Sequence, residues 1–333
     1  MKKVLFMISV AAFTLMGCTN ESKEYVEDNT PKEIAFMPVT QKATRGAIDG
    51  VTFTPTTMKV TAYDAEKPGV FFDATTFTKS SSTWKGGKYW PLAPTTINFL
   101  AIANANADNE TGVTWGTNKA DQVTIVMSDN STDQRDLVYA CGTGSVTQST
   151  NDLTFPGNVP MTFYHAQAWV KFTVKANSST EASAITVNSI TLNSVSCAGT
   201  YVVTHANYDK TAAQRAAASA GSLDGSVSGV WSAYSASAGN KAVIKAAGYS
   251  ALSTSEQDFG DLMVVPDQGM ATFTINYTVD GNTYNYTYTP ASTTLAQRTK
   301  YVYNITFKLH EIEIAPVVSD WTTGSTTDIT VHN

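Results

Sequence analysis

The sequence predicts an all-β protein built as two tandem β-sandwich domains with a short helical or loop insertion. Apolar residues recur at every second position through most of the chain, the signature of strands with one buried face. Between them stand Thr, Ser, Asn and 15 Tyr, types that suit a pleated surface better than a helix, while only 15% of residues are charged. The length, 333 residues, is enough for two cores of ordinary size.

Taken in order, the chain opens with Lys2 and Lys3, then an apolar run of about 13 residues from Val4 to Met16. That run is shorter than the roughly 20 residues a membrane-spanning helix needs, so residues 1–17 read as a cleaved signal peptide. Leu15-Met16-Gly17-Cys18 resembles a bacterial lipobox, in which the cysteine thiol takes an acyl chain such as palmitate and becomes the new N-terminus. The competing reading is an ordinary secretory leader with an incidental Cys18. Thr19 rather than Asp after the cysteine resembles lipoproteins sent to the outer membrane. Glu21, Glu24, Glu27 and Asp28 make an acidic run that reads equally as a surface-export tag or as a solvated linker.

The strands follow. Met58, Val60 and Ala62 share one face, as do Ile97, Phe99, Ala101 and Ala103, and then Val123, Ile125 and Met127. Phe155-Pro156-Gly157-Asn158 interrupts the pattern and marks the expected seam, giving sandwiches over 46–158 and 159–333. In the second, Ala168, Val170, Phe172, Val174 and Ala176 alternate with Trp169, Lys171, Thr173 and Lys175. Phe273, Ile275, Tyr277 and Val279 lead through Asp280-Gly281-Asn282 to Tyr284, Tyr286 and Tyr288, a hairpin with a glycine where positive φ is easy. Tyr301, Tyr303, Ile305, Phe307 and Leu309 form the longest alternation, and the change of parity at Ile312 and Ile314 places a turn or bulge near His310 and Glu311. Residues 211–247 are rich in Ala, Ser and Gly and read as a surface insertion, with a short helix ending near Gly221.

The chemistry-bearing residues do not converge. The 4 histidines, His165, His205, His310 and His332, have no second ligand at a metal spacing, so neither a metal nor a cofactor is expected. Cys141-Gly142-Thr143-Gly144-Ser145 lacks the Gly-Lys-Ser/Thr of a phosphate loop, no nucleophile elbow occurs, and an enzyme is not expected. A net charge of −6 argues against a nucleic-acid partner. After lipidation of Cys18, Cys141 and Cys197 remain, with pairing left open. Trp84, Tyr89 and Trp90 could stack on sugars, but core filling is the favoured reading because large aromatics dominate sandwich interiors.

Glu33-Ile34-Ala35-Phe36 reads as an edge strand, and Lys42-Ala43-Thr44-Arg45-Gly46 as an exposed site for a trypsin-like protease. Within residues 18–45, between the candidate lipidated cysteine and that site, Ile34 and Phe36 are the strand residues that face one way. Cleavage before Gly46 leaves 16 Lys/Arg against 23 Asp/Glu, a net charge near −7. At the far end Ile312, Ile314, Val317, Val318, Trp321, Ile329 and Val331 give short terminal strands, which on the plainer reading simply close their own domain.

These residues, with WKGGKYWP at 84–91, DLVYA at 136–140, FYHAQAWVKFTV at 163–174, DLMVVP at 261–266, KYVYNITF at 300–307 and VVSDW at 317–321, resemble the fimbrillins, type V pilins of Gram-negative anaerobes. The stretch after Tyr208 departs from the likeness. The resemblance implies transthyretin-like sandwiches and assembly by donor-strand exchange. A protease cuts after Arg45, the strand leaves with its lipid, and the groove takes a neighbour's strand through main-chain hydrogen bonds. Ile312, Ile314, Ile329 and Val331 are the expected donor side chains, with Trp321 near the bend. The head-to-tail contact does not close, so a surface filament results, with other fimbrial subunits as partners. A shaft subunit fits both processed ends; tip and anchor subunits, and a surface glycan-binding lipoprotein, are the alternatives.

Overall fold

The computed structural model describes residues 30–38, 56–67, 69–104, 113–119, 122–127, 135–149, 152–204, 229–232, 241–245, 252–266, 272–291, 294–308 and 311–320. These residues are nearly all strand, as the alternation predicts. In chain order come β1 (Glu33–Pro38), β2 (Thr57–Asp64), β3 (Val70–Ser80), β4 (Thr83–Tyr89) and β5 (Thr95–Asn104). Next are β6 (Val113–Lys119), β7 (Gln122–Met127), β8 (Leu137–Ser149), β9 (Asp152–Thr154), β10 (Val159–Met161) and β11 (Tyr164–His165). Then follow β12 (Ala168–Ala176), α1 (Ser179–Ala184), β13 (Ile185–Asn193), β14 (Gly199–Thr204), β15 (Gly229–Ser232) and β16 (Lys241–Lys245). The last are β17 (Gln257–Val264), β18 (Thr272–Val279), β19 (Asn282–Tyr288), β20 (Thr299–Lys308) and β21 (Glu311–Asp320).

The first sheet is nine-stranded, in the order β10-β1-β4-β3-β2-β5-β8-β11 with β9 paired to β8. Among the described residues, its inner core draws side chains from this sheet and the segments joining its strands, among them Phe36, Phe77, Trp84, Trp90, Phe99, Val138 and Met161. One sheet can enclose a core only by rolling over on itself, and Gly142 shows where the roll closes. A Cβ added to this β8 residue would meet Met161 Sδ and Val159 Cγ1 of β10 at 2.9 Å, so glycine permits the approach. The outer face of β2, β5 and β8 is buried too. There Tyr63, Leu100, Ile102 and Tyr139 pack with Val123, Ile125 and Tyr201 from a second sheet, ordered β15-β14-β7-β6. Burial on both faces is why Ile97 to Ala103 has hardly a polar break.

The third core is a sandwich of two four-stranded sheets, β17-β12-β20-β21 and β16-β13-β18-β19. Val170, Phe172 and Val174 point into it, as the alternation predicts, and so do Phe273, Ile275, Tyr303, Ile305 and Phe307. The predicted hairpin is present, with Val279 opposite Asn282 and a two-residue turn between them. Asp280 at φ 47° and Gly281 at φ 81° both take the left-handed region, matching the twist of the strands. β20 and β21 also form a hairpin, with Ile305 opposite Ile314.

Three features differ from the sequence expectation. Strands on both sides of Phe155–Asn158 belong to the first sheet, and β7 pairs with β14, so the two halves of the chain interleave. Within 211–247, residues 229–232 and 241–245 are strands of two different sheets rather than surface loop, and the expected helix there lies outside the described residues. The Trp231 indole is buried and donates to the Ala166 carbonyl, which gives this segment a reason to dock. The helix among the described residues is instead α1, started by Ser178, whose hydroxyl accepts from the Glu181 amide at 3.3 Å and donates to its carboxylate at 2.9 Å.

A buried polar network joins the first sheet to the sandwich. His165 Nδ1 lies 2.7 Å from Asp136 Oδ1, and the Leu137 amide donates to Gln167 Oε1 at 2.8 Å. The Arg298 amide donates to the Gln167 carbonyl at 3.0 Å, and its guanidinium lies 4.3 Å from the Tyr164 ring centre and donates to the Tyr139 hydroxyl. Cys141 and Cys197 are buried in different cores as thiols.

Candidate functional site

β1 is short, yet it lies inside its sheet, one strand in from the β10 edge. The alternation of Ile34 and Phe36 predicts an edge strand; the structure corrects this, because β1 has a partner on each side. It runs antiparallel to β4, with Phe36 opposite Trp84, and parallel to β10, with Phe36 opposite Val159. β10 is only three residues long, with a proline in the middle, and carries no period by which sequence could have placed it there.

The burial of β1 matches this position. Ile34 and Phe36 are both 0% exposed, and Ala35, facing the other way, is 6% exposed. The Phe36 ring sits edge-on to Phe77 at 4.9 Å and to Phe99 at 5.0 Å, an arrangement favoured by the ring quadrupoles. Met37 emerges at 41% exposure, so the buried part of the strand is Ile34 to Phe36. At the mouth, Glu33 Oε2 is 3.3 Å from Lys85 Nζ, and its Oε1 accepts from the Gly87 amide at 3.1 Å. The Trp90 amide donates to the Lys32 carbonyl at 2.9 Å.

The consequence is a slot. Taking β1 away would leave backbone groups of β4 and β10 without strand partners and would uncover Phe77, Phe99 and Trp84, a combination that another strand satisfies. The carboxylate contacts of Glu33 and the second flank from β10 were not visible in the sequence. The adjacency of Glu33 to an alternating pair was their only trace.

The other expected residues divide into two groups. Ile312 and Ile314 lie on β21, which is paired along its length with β20; Ile314 is buried in the C-terminal core and Ile312 packs against it. Cys18, Arg45, Gly46, Trp321, Ile329 and Val331 lie outside the described residues. Trp84 and Trp90 are core residues, in agreement with the favoured reading, whereas Tyr89 points outward at 53% exposure. Among the described residues, no group of three or more His, Cys, Asp or Glu is placed to hold a metal ion.

The fold has known counterparts. The profile of a family described as fimbrillin-like matches residues 36–321. A crystal structure of a candidate cell adhesion protein from Bacteroides uniformis is 16% identical, covering 87% of this chain and 98% of that one at a TM-score of 0.51. A fimbrial protein from Bacteroides vulgatus is 17% identical, covering 87% and 99% at 0.50. A candidate cell adhesion protein from Bacteroides ovatus is 11% identical, covering 89% and 100%, also at 0.50. At these identities the likeness to the solved structures is one of fold. No curated protein matches the sequence.

Proposed function

Because the chain belongs to the fimbrillin-like family, we propose that it is a shaft subunit of a cell-surface fimbria that supports adhesion, assembled by strand exchange at the β1 slot. In this reading residues 1–17 are removed, Cys18 is lipidated and holds the precursor on the outer membrane, and a trypsin-like protease cuts between Arg45 and Gly46. Residues 18–45 then depart with β1, and a strand from the C-terminal region of the next subunit refills the slot. The first sheet then carries the accepting end of the contact and the C-terminal region the donating end. The contact is head-to-tail and does not close, so it propagates as a filament.

The observation that carries the reading is the position of β1. It is held between β4 and β10 with Ile34 and Phe36 wholly buried, so no single sheet edge but a two-sided, aromatic-lined slot depends on it. A slot with unpaired donors on both walls and exposed aromatic rings is unstable in water and favours capture of another strand.

The test is the N-terminus of the mature protein on cells. Gly46 is the expected result, and Arg45→Ala is expected to leave lipidated full-length monomer at the membrane. An acylated Cys18 on the assembled protein would point instead to an anchor subunit or a glycan-binding lipoprotein, and normal filaments from Arg45→Ala would refute processing.

A further inference from the structure

We propose that the free edge of β19 docks the β19 edge of a second copy of this chain, the two strands pairing antiparallel about a two-fold axis at Asn285. The inference goes beyond strand exchange and does not depend on it, because β19 belongs to a different sheet from β1, β4 and β10.

β19 ends the sheet β16-β13-β18-β19, so among the described residues it has a strand on one side only. The two-residue turn at Asp280-Gly281 fixes which main-chain groups that leaves over. In such a hairpin the pair flanking the turn, Val279 and Asn282, exchanges hydrogen bonds, and the pattern then alternates along the ladder. Asn282, Tyr284, Tyr286 and Tyr288 therefore turn their amides and carbonyls toward β18. Thr283, Asn285 and Thr287 turn theirs outward, as a row of donors and acceptors facing away from the sheet.

Such an edge invites pairing, and proteins blunt it with charges, prolines or short strands. The other edges follow that rule. β16 carries Lys241 and Lys245, β17 Asp258 and Asp261, β6 Lys119, and β21 Glu311, Glu313 and Pro316. β10 holds Pro160, and β9, β11 and β15 are four residues long or shorter. β19, Asn-Thr-Tyr-Asn-Tyr-Thr-Tyr, runs for 7 residues with neither a charge nor a proline.

The order of those residues names the occupant. Thr283-Tyr284-Asn285-Tyr286-Thr287 reads the same in both directions, which is the self-complementarity an isologous contact requires. Antiparallel pairing about Asn285 sets Asn285 of one copy against Asn285 of the other, and Thr283 against Thr287. All of these have their main chain turned outward, so each pair exchanges both of its bonds. On the opposite face it sets Tyr284 against Tyr286.

β18 already makes the same kinds of pair with β19. Asn276 Nδ2 donates to Asn285 Oδ1 at 2.8 Å, the Thr274 and Thr287 hydroxyls lie 3.3 Å apart, and the Tyr277 and Tyr284 rings stack at 5.8 Å. The second copy continues a ladder the sheet has begun, and no charge is buried. The merged sheet ends on β16 of each copy, with its lysines, so the contact closes as a dimer. A single strand pair is a small contact, so association is weak and concentration-dependent.

The experiment is sedimentation equilibrium of the full chain at rising concentration, with β1 in place so that strand exchange cannot supply the contact. A reversible dimer is expected. Asn285 is exposed, so Asn285→Lys leaves the fold alone and sets two ammonium groups opposite each other. It should weaken the dimer roughly fivefold, and Asn285→Glu should do the same. Mixed in equal amounts, the two variants should recover the dimer, because a two-fold at this residue brings the opposite charges together. A monomer at every concentration would overturn the proposal. So would an Asn285→Lys chain that dimerises as tightly as the unaltered one, or a mixture that recovers nothing. None of these outcomes bears on strand exchange at the β1 slot.

Discussion

β1 and β21 are short terminal strands of similar composition, Glu-Ile-Ala-Phe-Met-Pro against Glu-Ile-Glu-Ile-Ala-Pro at the start, but the fold uses them differently. β1 is flanked on both sides and closes a core enclosed by one rolled sheet. β21 is an edge strand with a single partner, β20, on a sandwich whose core has a second sheet behind it. Removal of β21 would move the sheet edge to β20 and uncover one margin of the core; removal of β1 would leave a slot. Exchange capacity therefore depends on how many neighbours a strand separates, and local sequence does not report that.

The largest expected effects separate the two regions directly. Phe36→Ala deletes a buried ring that touches Phe77 and Phe99, and should destabilise the intact chain by about 3–5 kcal/mol in urea unfolding. Ile312→Ala, in a partly buried side chain at the edge, should cost about 1–2 kcal/mol. A reversed order would break the comparison. Between them lies the junction. Asp136→Ala leaves His165 buried without its 2.7 Å partner and should cost about 2 kcal/mol, read as a drop in the denaturant midpoint. Gly142→Ala crowds β10, where Met161 and Val159 must give way, and should cost about 1–2 kcal/mol.

The smallest effect is one of pH. The first core is lined by Phe and Trp, whereas the C-terminal core carries Tyr288 and Tyr303, whose phenols burial pushes above their ordinary range. An acid whose folded pKa is raised contributes stability that is fully present below the unfolded value near about 10 and is lost as pH rises beyond it. Alkaline titration followed by near-ultraviolet absorbance should therefore loosen the sandwich around Tyr303 before the Phe-lined core. Simultaneous loss of both would remove this distinction.

The periodic strands were legible from sequence because burial on one face imposes period two: Met58 to Ala62, Ala168 to Ala176 and the Asp280-Gly281 hairpin all stand where the pattern puts them. Ile34 and Phe36 were legible as a buried pair for the same reason. Their place between two strands was not, because β10 is a three-residue segment placed by tertiary contact with β8 rather than by any pattern of its own. β15 and β16 were hidden by Ala/Ser-rich surroundings, although β15 carries the buried Trp231.

Backbone amide hydrogen exchange, followed residue by residue in the full chain before and after cleavage at Arg45 and release of residues 18–45, tests the central claim most directly. The account predicts that protection falls in β4 and β10, at Trp84, Lys85 and Val159, while β12 and β20 keep theirs, and that a second copy restores it. Unchanged protection in β4 and β10 once β1 has gone would contradict it.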